Sequence, residues 1–135
     1  MPDPADRLGK IERLLAIQGK IHRLAEWRLA ALDRKQAELI ADKTALVASL
    51  NEAEPLHGLF VEAMARRLTL LAREGNRLAR AREAQQRRLL EEGLRLKRFE
   101  RATGRAQAIG REFARRKGFQ AMLDALASVE DASLP

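Results

Sequence analysis

Apolar residues recur at three- and four-residue steps for some forty positions on each side of Pro55, the only proline between Pro4 and the C-terminal Pro135. Few folds admit that pattern. A step averaging near 3.5 residues is the period of helices wound on one another, and each run is much longer than a globular helix needs. Proline lacks a backbone donor and pushes the residue before it, here Glu54, out of helical geometry. Gly58 tolerates backbone angles that other residues resist. The stretch Asn51–Gly58 therefore reads as a reversal at about 54–58. The expected fold class is all-α: a long two-helix antiparallel coiled-coil hairpin forming one domain over 1–135. Helix one is expected at about 4–53, helix two at about 59–128, and a frayed tail follows.

The first helix starts at Asp3-Pro4-Ala5-Asp6, where Asp3 can cap free N–H groups, proline suits the first helical position and Asp6 favours the positive end of the dipole. Its seam runs through Ile11, Leu14, Gln18, Ile21, Ala25, Leu29, Leu32, Gln36, Leu39, Lys43, Leu46 and Leu50. Two successive four-residue steps, Ile21 to Ala25 to Leu29, mark a stutter. The return helix opens on Leu59, Phe60, Met64, Leu68 and Leu71, then thins, with Gly75, Arg82 and Gln85 where apolar residues belong. A turn near Pro55 sets Leu71 near Leu39, Leu78 near Leu32, Leu89 near Ile21 and Phe99 near Ile11. Polar seam side chains are expected to snorkel outwards.

The arms are unequal, so about 20 residues beyond Ala106 overhang. Gly104, Gly110 and Gly118 each cost up to ~1 kcal/mol relative to Ala in a helix. The overhang either continues as a weak helix or breaks near Gly118. Its face of Phe113, Phe119, Met122, Leu123 and Leu126 calls for a cover, either a protein partner or a second copy of the chain.

Charge is placed asymmetrically. Residues 1–54 hold nine Lys/Arg and nine Asp/Glu, residues 66–117 hold seventeen and six, and residues 118–135 hold three acids and no base. The basic clusters Arg66-Arg67, Arg87-Arg88, Lys97-Arg98 and Arg115-Arg116-Lys117 suit a solvated face with pairs such as Glu62–Arg66. They equally suit nucleic-acid phosphates or an acidic protein surface. No recognition-helix motif, zinc finger or aromatic base platform accompanies them. The absence of cysteine rules out disulfide and thiolate chemistry, and no apolar run approaches the ~20 residues that span a bilayer. A soluble cytoplasmic protein, peripheral to a membrane at most, is the expectation.

Catalytic patterns are missing. His22 and His57 stand far apart without acids at metal-ligand spacing, Glu91 and Glu92 diverge on a helix, and no phosphate loop occurs. The chain reads as a non-enzyme without cofactor or metal. Trp27 is expected to pack beside the seam, His22 to lie on the helix surface and His57 in the turn.

Two segments carry a resemblance: Arg7-Leu8-Gly9-Lys10-Ile11-Glu12-Arg13-Leu14-Leu15 and, late in the basic return helix, Lys97-Arg98-Phe99-Glu100-Arg101. With the short break between helices, they resemble the FliJ/YscO-like coiled-coil stalk proteins of type III flagellar and injectisome export systems. The tight loop and the acidic ending from Asp124 to Asp131 are departures from that family. The resemblance implies a stalk that enters a hexameric export ATPase, links it to the export gate and escorts export chaperones. It also implies that the end holding both helix termini enters the ring. The partner-binding candidates are Arg7, Lys10, Lys97, Arg98, Arg101, Phe113, Arg115, Arg116, Lys117 and Phe119. The rival reading is a basic helical hairpin that binds nucleic acid or serves as a structural or regulatory adaptor.

Overall fold

A computed structural model describes residues 3–52 and 58–133. Every described residue except Asp3 is helical, in α1 (Pro4–Glu52) and α2 (Gly58–Ser133), and the two helices pack against each other. The expected turn residues from Glu54 to His57 lie outside the described residues, as does the end of the tail, Leu134 and Pro135. Gly58 is the first residue of α2, and no described glycine has a positive φ, so the special backbone expected of it is not adopted.

Capping explains the start of α1. The Asp3 carboxylate oxygen Oδ1 accepts from the Ala5 amide at 3.3 Å, and the Asp3 carbonyl accepts from Arg7 N–H at 3.1 Å. Pro4 takes the first helical position, where no donor is needed. α2 runs to Ser133, past the end expected near 128 and straight through Gly104, Gly110 and Gly118. Leu, Ala, Arg, Gln and Glu around those glycines favour helix enough to carry them.

Packing divides the chain into two compact units, Met1–Lys20 with Leu94–Pro135, and Ile21–Gly93. In the Ile21–Gly93 unit, Leu39, Leu71 and Leu78 form the core and Leu32 and Leu46 pack against it. Leu39 and Leu71 thus fall in one cluster, as do Leu32 and Leu78. Gly75 lies so close to Leu39 that an added Cβ would stand 3.1 Å from Leu39 Cδ2. Polar residues of α2 reach α1 rather than simply snorkelling. The Arg82 guanidinium pairs with Asp33, and Gln85 Nε2 donates to the Ala25 carbonyl at 3.0 Å. In the Met1–Lys20 and Leu94–Pro135 unit, Gln18, Thr103 and Ala106 are buried, and Thr103 Oγ1 donates to the Phe99 carbonyl at 2.7 Å.

Positions 4, 8, 11, 15, 18, 22, 25, 29, 32, 36, 39, 43, 46 and 50 of α1 are all buried or half-buried and alternate four- and three-residue steps without interruption, with only the small residues Gly9, Gly19 and Ala31 half-buried beside them. The stutter expected at Ile21–Leu29 is therefore absent. Leu15 and His22 occupy the seam, whereas Leu14 and Ile21 are 47% and 41% exposed. His22 is accordingly a seam residue rather than a surface one. Its ring lies beside Gly93, and its Nδ1 stands 3.1 Å from Glu26. α2 keeps the same alternation from Met64 to Gly110, placing Glu92 and Thr103 in the buried line. Trp27, expected to pack, is 78% exposed.

Candidate protein-docking surface

In the Met1–Lys20 and Leu94–Pro135 unit, α1 begins alongside the 102–113 stretch of α2, and two open grooves flank Phe113. The first, about 690 Å³, is lined by Ile11, Ala102, Ala106, Ile109 and Phe113, with Arg7, Arg105 and Asp3 as its charged groups. The second, about 650 Å³, is lined by Leu8, Gly110, Ala114, Arg111 and Lys117 among others. Helical spacing produces this arrangement. Ala102, Ala106 and Gly110 carry too little side chain to fill the interface, so space remains beside the larger Ile109 and Phe113. Each groove sets two cations against the single Asp3 carboxylate beside a mostly apolar lining, which suits an amphipathic segment of net acidic edge.

Arg7 and Phe113 therefore share one groove, and Phe113 and Lys117 share the other. Lys10, Lys97, Arg98 and Arg101 are exposed and line neither groove. Arg115 and Arg116 are exposed, and both pair with Glu112, at 3.5 and 3.2 Å. Lys117 Nζ lies 5.7 Å from the Phe113 ring centroid, within reach of a cation–π contact. Phe119 is 57% exposed and lines neither groove. Arg105 and Arg111 enter the grooves although neither belongs to a basic doublet. Their signal in the sequence was position, near Ile109 and Phe113, rather than clustering.

Exposed apolar side chains continue beyond the grooves. From Phe113 to Ala132 every described residue is exposed, including Phe119, Met122, Leu123, Leu126 and Val129. Among the described residues no group of His, Cys, Asp or Glu is arranged to hold a metal ion, and no helix is long and apolar enough to cross a membrane. No protein family, characterised protein or solved structure gives a significant match to the chain.

Proposed function

We propose that the chain is an antiparallel coiled-coil hairpin serving as a non-enzymatic stalk or adaptor of a type III export apparatus. It docks into a hexameric export ATPase and connects that ring to the export gate or to export chaperones. The contacts favour the antiparallel arrangement. Lys43 lies by Gly75, Asp33 by Arg82, Ala25 by Gln85 and His22 by Gly93, so positions fall along α1 as they rise along α2. The observation that carries the docking reading is the Phe113 groove, mostly apolar in its lining with Arg7 and Arg105 outnumbering Asp3, formed where α1 starts. It adjoins the Arg7–Leu15 segment on which the family resemblance rests. Arginine and exposed aromatic side chains are the groups that most often anchor protein interfaces.

Nucleic-acid binding would draw on the same arginines, but Arg115 and Arg116 share Glu112, which lowers what they offer to phosphate. The test compares association with a purified export ATPase and with duplex DNA. Phe113→Ala is expected to speed dissociation from the ATPase at least tenfold, whereas Arg7→Gln with Arg105→Gln slows association. Duplex binding that exceeds ATPase binding, with a steep salt dependence, would overturn this reading.

A further inference from the structure

Beyond Phe113 the large apolar residues of α2 change face. Positions 96, 99, 103, 106 and 110 follow the buried line, whose continuation meets Phe113 and then falls on Lys117, Gln120, Asp124, Ala127 and Asp131. The exposed apolar residues sit instead at Phe119, Met122, Leu123, Leu126 and Val129. At ~100° per residue their mean direction lies roughly 150° around the helix from the seam. This second stripe is therefore turned away from the line that packs on α1, and its cover comes from elsewhere.

The centre of the stripe is symmetric about the Met122–Leu123 pair, with Phe119 mirroring Leu126, while Val129 is mirrored by Arg116. Its charges are opposite at the two ends. Before the centre stand Arg111, Arg115, Arg116 and Lys117 against one acid, Glu112; after it stand Asp124, Glu130 and Asp131 with no base. A two-fold antiparallel pairing lays the basic end of one copy beside the acidic end of the other, twice over. Parallel pairing would set like charge against like. We infer that the 111–131 segment of α2 is a homodimerisation helix, occupied by the same segment of a second copy of this chain running antiparallel to it. Two-fold interfaces demand such self-complementarity. The pairing covers Phe119 and shares Arg111, Phe113 and Lys117 with the docking grooves, but the two fail separately: a chain that dimerises yet binds no ATPase fails only the docking proposal.

The absence of cysteine from the chain makes the test direct. Wild-type protein in sedimentation equilibrium is expected to pass from monomer to dimer as concentration rises into the submillimolar range. Mild oxidation should cross-link the Met122→Cys chain to itself. Arg116→Cys and Val129→Cys chains should cross-link at least tenfold faster when mixed than either does alone. A variant carrying Arg115→Glu, Arg116→Glu and Lys117→Glu should lose the dimer. Mixing it with a variant carrying Asp124→Lys, Glu130→Lys and Asp131→Lys should restore one. Three results would overturn the inference: a monomer at every concentration, faster cross-linking between like ends, or association seen only after nucleic acid or another protein is added.

Discussion

Replacing Gly75 by alanine sets two terms of known size against each other. In a helix interior the change is worth about 1 kcal/mol in favour of alanine, because glycine loses more backbone freedom on folding. Against that, the new Cβ would stand 3.1 Å from Leu39 Cδ2 and 3.5 Å from Lys43 Nζ. The lysine end can swing away. Leu39 cannot do so freely, since it is 8% exposed and held in a cluster with Leu71 and Leu78. Forcing an extra methyl into such a contact costs about 1–3 kcal/mol. The net expectation runs from no change to about 2 kcal/mol of destabilisation. Gly93 supplies the control within the same unit: a Cβ there meets the His22 ring at 3.6 Å, an ordinary contact. Gly93→Ala should therefore keep the full gain of about 1 kcal/mol. Urea denaturation followed by circular dichroism measures both. Adding Leu39→Val, which removes the δ-methyl group, should recover part of the loss in Gly75→Ala through a favourable coupling. Equal stabilisation by the two alanine variants would refute the close approach of α2 to Leu39.

The same denaturation assay checks three further substitutions. Leu71→Lys should cost several kcal/mol, because it sets a charge in the core, while Leu90→Lys, at a position 67% exposed, should stay within about 0.5 kcal/mol of wild type. Asp3→Ala removes the cap on α1 and should cost about 0.5–2 kcal/mol. Asp33→Ala and Arg82→Ala should show a coupling of about 0.2–1 kcal/mol in a double-mutant cycle, smaller at high salt, because both side chains are substantially exposed.

The pairing of Leu39 with Leu71 and of Leu32 with Leu78 was legible in the sequence, because Leu32, Leu39 and Leu46 on one helix and Leu71 and Leu78 on the other recur at heptad spacing, which fixes the face even beside Ile40 and Leu70. It was less legible at the neighbouring pairs nearer the start of α1. Leu14 and Leu15 are equivalent by hydrophobicity, and Ile21 outranks His22. The seam nonetheless takes Leu15 and His22, since uninterrupted alternation of steps keeps one line facing the partner helix. Hydrophobicity also misplaced Trp27, which falls outside that line and is exposed. Gln18 was readable as a seam position but is buried rather than snorkelling, and Glu92 and Thr103 were missed for a related reason: they enter by position, not by character. At the docking surface, Phe113 and Arg7 were readable as candidates. Their meeting in a groove was not, since it depends on the small side chains of Ala102, Ala106 and Gly110 leaving space.

Gln85 and Arg82 interrupt the apolar contact of α2 between Leu78 and Leu89, and they hold α1 through hydrogen bonds that water can replace. Opening that stretch exposes little apolar surface, whereas parting Leu39 from Leu71 and Leu78 exposes the core of the unit. Amide protons near Ala25 and Gln85 should therefore exchange with solvent through small local openings. Those around Leu39 and Leu71 should wait for the unit to come apart. The pairing of α1 with α2 in Ile21–Gly93 is thus graded along its length, clamped by leucines at one part and latched by polar groups at another, so strain arriving from a bound partner would be released first at the latch.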